Sequence, residues 1–228
     1  MRMLRAKSAL FLALLILPPE ARSDAGDAVK SPAPKTGKRL SPEEARRFLV
    51  QVSEKLGTLK TLQAEFVQER HMSAFVDTLT AKGTCYFQAP DKIRWETAEP
   101  YRSALVFSEG KVAKLLYERD RWRRLDLGSK EIMKEVLKLI SLWMRGDFES
   151  SKELFELTLR RDGAVVVDLI PRFEQMKEVL SLIELTVDAE SKHIDKVTIQ
   201  EPRGDEIVIT FVDKKWNIEL NEDLFKLD

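Results

Sequence analysis

Few residues in this 228-residue chain have the chemistry or spacing of a catalytic site. It holds two histidines, His71 and His193, and one cysteine, Cys85. The histidines fall in different strand-like segments, so local spacing sets neither beside a partner. There is no Gly-x-Ser-x-Gly elbow, no His-Glu-x-x-His pair, no second cysteine and no glycine-rich phosphate loop. Glu65 and Glu69 are two acids among many, and nothing marks them as a general acid/base pair. Cys85 sits in the apolar stretch Thr84-Cys-Tyr-Phe87, which reads as a small buried side chain rather than a nucleophile. Arg203-Gly-Asp205 follows Pro202 and reads as a hairpin turn. Arg119 to Arg124 enclose Trp122; the run is either a docking face for an acidic partner or a strand edge protected by charge. The chain reads as a non-enzyme without cofactor or metal.

The elements that would position a binding site are clearer. Ser41, Pro42 and Glu44 form a helix start with a capping box. Ala45, Phe48, Leu49, Val52 and Leu56 then recur at helical spacing, with Gly57 as the stop. From Leu62 the apolar period becomes two. Strands are expected near 61–70, 76–88, 92–97, 103–108, 112–118 and 121–126, then near 154–160, 164–170, 182–188, 193–200 and 206–214. Proline and glycine turns separate many of them, as at Ala89-Pro-Asp91, Glu109-Gly110 and Asp162-Gly163. About eleven short strands argue for an antiparallel meander. One helix interrupts it, capped by Ser129 and ended by Gly146, and a helical turn is expected near 173–180.

The N-terminus carries Arg2, Arg5 and Lys7, then the apolar run Ala9–Leu17, closed by Pro18 and Pro19. That run is shorter than the roughly 20 residues of a membrane-spanning helix and fits a secretory signal peptide over 1–23. Cleavage is expected after Ser23, with a second site after Ala25. No cysteine lies near either, so the chain is not expected to be a lipoprotein itself. Residues 24–40 read as a disordered linker and 41–228 as one domain. The 38 basic and 38 acidic residues balance over the whole chain. Losing Arg2, Arg5, Lys7, Arg22 and Glu20 with the first 23 residues leaves 34 basic and 37 acidic, a net charge of −3. Such a chain has no field to gather nucleic acid or to bind an anionic membrane.

Several strands are apolar on both faces. Val165, Val167 and Leu169 alternate with Val166 and Ile170; Leu105 and Phe107 alternate with Ala104 and Val106. A one-sided sheet would alternate with polar residues, so helices must cover the second face. The 130–145 helix carries Ile132, Met133, Val136, Leu137, Leu139, Ile140, Leu142, Trp143 and Met144, more than half its circumference. It is either a buried core helix or a lid over an apolar hollow. Methionine suits the lid reading, because an unbranched thioether adapts to a flexible guest. Burying a sixteen-carbon acyl chain contributes about 10 kcal/mol before ordering costs, so such a hollow holds lipid without ATP.

Gly83-Thr-Cys-Tyr-Phe-Gln-Ala-Pro-Asp-Lys-Ile-Arg-Trp-Glu96 resembles the signature of the periplasmic outer-membrane lipoprotein carrier family, the LolA type. Pro100 and Leu105-Val-Phe-Ser-Glu-Gly-Lys111 match its next strand and turn. The likeness continues through Gln63–Gln68, the 130–145 helix, Leu169–Pro171 and Asp223–Phe225, and so covers about residues 41–228. It implies a mainly β, α+β fold: an incomplete antiparallel β-barrel with helices over its concave face. By position it also implies a lipid-binding cavity lined by Ile93 and Trp95, with Val106 a further candidate from the next strand; Phe66 and, on the lid reading of the helix, Met133, Val136, Leu137, Ile140, Trp143 and Met144 complete the expected site. Implied partners are acylated lipoproteins or lipids, an inner-membrane lipoprotein-releasing transporter and an outer-membrane receptor. The expected protein is a periplasmic monomer that binds no nucleic acid. Carrier of another acylated lipid or glycolipid, or a lipoprotein-sensing module, are the alternatives. Carriers usually place an arginine before the turn proline to latch the lid, and here that position is Ala89. Arg94 points away from Ile93 and Trp95 by alternation. The chain also ends soon after Phe225, where some carriers continue.

Overall fold

The computed structural model describes residues 37–73, 77–125 and 130–228. The signal peptide, the linker as far as Thr36 and the Ser129 cap lie outside them. Lys38 and Arg39, expected at the end of the linker, instead form a two-residue strand β1, paired with Arg161 and Arg160. Helix α1 spans Pro42–Gly57. Its capping box forms as read: the Ser41 backbone N–H donates to Glu44 Oε2 at 2.8 Å, and the Glu44 N–H donates to Ser41 Oγ at 3.3 Å. Gly57 is the last helical residue rather than a left-handed stop.

The strands are β2 Thr61–His71, β3 Leu79–Gln88, β4 Lys92–Glu99, β5 Ser103–Ser108, β6 Lys111–Glu118, β7 Arg121–Leu125, β8 Phe155–Asp162, β9 Ala164–Pro171, β10 Leu182–Val187, β11 Ile194–Gln200 and β12 Glu206–Trp216. Helices α2, Lys130–Met144, and α3, Glu174–Lys177, complete the set with 3-10 turns at Glu149–Ser151 and Glu222–Phe225. All twelve strands join one mostly antiparallel sheet, in the order β1-β8-β9-β10-β11-β12-β2-β3-β4-β5-β6-β7. The sheet is not closed. It is the unclosed antiparallel sheet with helices that the sequence implied, with β1 as the extra strand.

The chain groups into two compact units, each assembled from three separated segments. No local sequence signal reports that grouping. The first takes the chain through Val52, Gln68–Thr80 and Glu149–Thr210. In it β9 is buried on both faces: Val165, Val167 and Leu169 on one, Val166 and Asp168 on the other. Register sets Asp168 beside Thr158 and Glu184. There Arg160 Nε donates to Asp168 at 3.3 Å and its Nη2 donates to Glu184, so these charges are paired where water is scarce. From α1, Phe48 and Val52 are buried, and the Lys192 ammonium lies 4.9 Å from the Phe48 ring centroid.

The second unit takes Ser53–Val67, Ala81–Phe148 and Phe211–Asp228. Its strands β3 to β7 are successive antiparallel neighbours. Two-residue turns join β5 to β6 at Glu109-Gly110 and β6 to β7 at Arg119-Asp120, with positive φ at all four residues. Helix α2 ends as Gly146 predicts, in a Schellman closure. Gly146 has φ 72°, its N–H donates to Trp143 O at 2.9 Å, and the Asp147 N–H donates to Leu142 O at 2.9 Å.

Candidate functional site

The site expected from sequence lies wholly in the second unit, and cross-strand register decides which residues share a face. Trp95 pairs with Cys85 on β3 and Leu105 on β5; Ile93 pairs with Phe87 and Phe107. Directly opposed residues project to the same side of a sheet. Ile93, Trp95, Leu105, Phe107, Cys85 and Phe87 therefore form one continuous apolar front face, and all six are buried. Phe66 joins them from β2, its ring stacked on Trp95 at 4.3 Å between centroids. Phe211 from β12 stands nearly perpendicular to the Trp95 ring, with 5.9 Å between centroids.

Val106 does not belong to this face. It pairs with Arg94, and Ala104 pairs with Glu96, so all four project to the reverse side. There Val106 packs with Ala104, Ala113 and Leu115, and Trp122 and Leu227 close over them. Alternation alone leaves open which of Leu105 and Val106 sits with Trp95; the pairing decides for Leu105. Arg94 is on the reverse side, as alternation requires. Its Nε donates to Glu96 at 2.7 Å, its Nη1 donates to Leu224 O at 3.1 Å, and its guanidinium stacks 4.8 Å from Trp122. It ties down the C-terminal turn, which packs on β4 and β5.

Helix α2 packs against β4 and β6. With the C-terminal turn on the reverse side, the front face is the one left for it. Met133, Leu137 and Trp143 are buried, whereas Val136, Ile140 and Met144, interleaved with them on one side of the helix, are only partly covered. A fully buried core helix would cover both sets. Leu139 and Leu142 are also half-buried.

Two polar groups interrupt the front face. The Trp95 indole N–H is buried and has no acceptor, although buried indoles ordinarily find one. Lys114 is opposite Leu105 on the same face, and burial pushes its ammonium pKa below the ordinary range. Burial pushes the Cys85 thiol up to about 12, so it is held as the inert thiol expected from its apolar strand. Among the described residues, no three His, Cys, Asp or Glu side chains cluster as metal ligands.

Of the residues expected at the site, Phe66, Ile93 and Trp95 share the front face, and the sequence reading did not put Leu105, Phe107 or Phe211 there with them. The strand pattern carried Leu105 and Phe107, because both lie on the face that excludes Val106. Phe211 had no local signal, since nothing in the sequence sets β12 beside β2.

A family described as "Outer membrane lipoprotein carrier protein LolA" matches residues 57–228, which include the whole front face and α2. The chain belongs to the LolA family. The outer-membrane lipoprotein carrier protein of Methylococcus capsulatus is 40% identical over 57 residues, 25% of this chain and 27% of that protein. This LolA-family chain thus spans about a quarter of that relative's length in the match. Among solved structures, MucB is similar over 81% of this chain and 62% of its own, with 17% identity and a TM-score of 0.49. A LolA superfamily protein from Nitrosomonas europaea is similar over 80% of this chain and 97% of its own, with 11% identity and a TM-score of 0.42.

Proposed function

We propose that this LolA-family chain is a periplasmic carrier that shields lipoprotein acyl chains against its front face, beneath α2, as they pass from inner to outer membrane. The observation that carries the reading is the incomplete cover of α2. Val136, Ile140 and Met144 are apolar, lie beside the buried stripe and remain partly open. An acyl chain laid along them completes their burial, at about 0.8 kcal/mol for each methylene withdrawn from water. The unpartnered Trp95 N–H supports the same reading, because an acyl ester or amide carbonyl supplies the acceptor it lacks. An inner-membrane releasing transporter would load the carrier and an outer-membrane receptor would unload it. The lid latch differs from the family pattern, since Ala89 carries no donor side chain and Arg94 is engaged on the reverse side.

Mass spectrometry of the protein isolated from periplasm tests this. Diacylated or triacylated peptide bound to it is the expected result. Free lipid or glycolipid without peptide would make it a carrier of a different cargo. An empty protein tightly held by a second polypeptide would make it a sensing module.

A further inference from the structure

The sheet ends at β7, the last strand in its order, which pairs on one side only, with β6. Both strands belong to the second compact unit. The hairpin that joins them fixes which backbone groups β7 turns outward. Residues flanking a two-residue turn form a hydrogen-bonded pair, and such pairs then alternate along the ladder. Glu118 and Arg121 flank the turn, so Tyr117 opposite Trp122, and Leu115 opposite Arg124, are non-bonded pairs. The Tyr117 N–H agrees with this, since it donates the other way, to Arg102 O at 2.9 Å. Trp122 and Arg124 therefore direct their N–H and C=O groups to the free side of the sheet.

The side chains on this edge are basic. Arg121, Arg123 and Arg124 are exposed, and β7 holds no acidic residue. Arg123 Nε donates to Glu118 at 3.2 Å, a pair open to solvent on both sides and therefore weak. Trp122, by contrast, is firmly held. Tyr117 meets its ring edge-on at 5.2 Å, and the Arg94 and Arg102 guanidiniums lie 4.8 and 5.2 Å from its centroid. Both arginines are fixed in turn by Glu96. The edge is thus ordered as a strand before any partner arrives, which lowers the cost of docking.

An unpaired strand edge recruits another strand, and its charges decide which one. A second copy of β7 would set arginine against arginine at cross-strand distance, which is repulsive. A strand with acids opposite Arg121, Arg123 and Arg124, and an apolar residue opposite Trp122, complements both sides of the edge. We propose that β7 is the docking edge for an extended acidic segment of a partner protein, added antiparallel as the next strand of the sheet. The proposal neither uses nor requires the acyl cargo.

The test uses the isotope-labelled mature chain and the hexapeptide acetyl-Thr-Glu-Glu-Val-Glu-Thr-amide. In antiparallel register this peptide sets glutamate against Arg124, Arg123 and Arg121, and valine against Trp122. The Trp122 and Arg124 amide resonances should shift and exchange more slowly with solvent. Replacing each glutamate by glutamine should weaken binding about tenfold at low salt, the sum of three exposed cross-strand charge pairs. That gap should close as salt is raised. N-methylation of the valine removes an N–H aimed at β7 and should abolish binding. N-methylation of the second glutamate, whose N–H points away, should be tolerated. The double variant Arg121→Glu, Arg123→Glu should instead prefer acetyl-Thr-Glu-Lys-Val-Lys-Thr-amide; the wild-type comparisons stand alone if it does not fold. No binding of the acidic peptide by wild type, or equal binding of the glutamine peptide, would leave the arginines as edge protection and overturn the proposal. Equal binding of the valine-methylated peptide would overturn strand addition. Phosphatidylglycerol vesicles that displace the peptide and shift the same resonances would make the edge a lipid contact, and would overturn it too. None of these results bears on the carrier reading, which is tested by the bound cargo.

Discussion

The Phe66 ring lies on Trp95 with centroids 4.3 Å apart and planes inclined by 30°. That stack is possible because Gly83, on the neighbouring strand, has no side chain. A Cβ there would stand 2.0 Å from the Glu96 carbonyl oxygen and 2.7 Å from Phe66 Cζ. Backbone, rather than a flexible side-chain end, blocks it. Gly83→Ala should therefore force β3 away from β4 and tilt Phe66 off Trp95. The expected cost is about 1–3 kcal/mol, read as a lower denaturation midpoint together with a weakened near-ultraviolet circular dichroism signal.

Trp95→Glu should abolish binding of a fluorescent acyl probe. It removes the ring that Phe66 and Phe211 pack against and puts a carboxylate on an apolar face, where charge is heavily penalised. Trp95→Phe keeps the aromatic surface but loses the free indole N–H, and should weaken the probe only modestly. Equal binding by wild type and Trp95→Glu would remove this face from the cargo path.

On α2 the buried and half-buried positions should separate stability from retention. Leu137→Ala empties a buried site and should cost about 2–5 kcal/mol of unfolding free energy. Ile140→Asn alters a half-buried position and should leave the melting temperature much closer to wild type. Its expected effect is faster release of bound acyl probe, measured by stopped-flow displacement. If Ile140→Asn unfolds the protein as Leu137→Ala does, α2 is core rather than lid.

Cys85 should resist iodoacetamide at pH 8 in the native protein and react only after unfolding, because its thiol titrates near 12. The sign of the linkage follows. The folded pKa lies above the ordinary thiol value of 9.0, so the fold favours the neutral form. The resulting stabilisation is complete below pH 9 and is lost as pH climbs towards 12. Cys85→Ala should flatten part of that alkaline decline, seen by comparing denaturation midpoints at pH 8 and pH 10.

Strand positions were legible because most strands carry a run of period-two or doubly apolar residues, and the Ser41–Glu44 capping box fixed the start of α1. What the sequence left open depends on pairing between separated strands. Val106 and Leu105 are adjacent and both apolar, and only the Arg94–Val106 register shows which one faces Trp95. β1 is too short to have a period of its own and exists because β8 pairs with it. The Arg119-Asp120 turn has positive φ without a glycine to announce it. The C-terminal segment, with Leu227 over Val106, closes a face that local patterning could not assign.

That closure bears on how a lid could move at all. Strands β4 to β6 have two greasy sides, and the rear one is sealed by the chain's own tail, pinned through Arg94 to the Leu224 carbonyl. If α2 swings aside as the carrier proposal requires, only one surface of the ribbon is wetted, while the other stays dry and keeps its neighbours in line. On that proposal a guest's hydrocarbon would stand in for the departed helix, turning what would be an unfolding step into an exchange of covers.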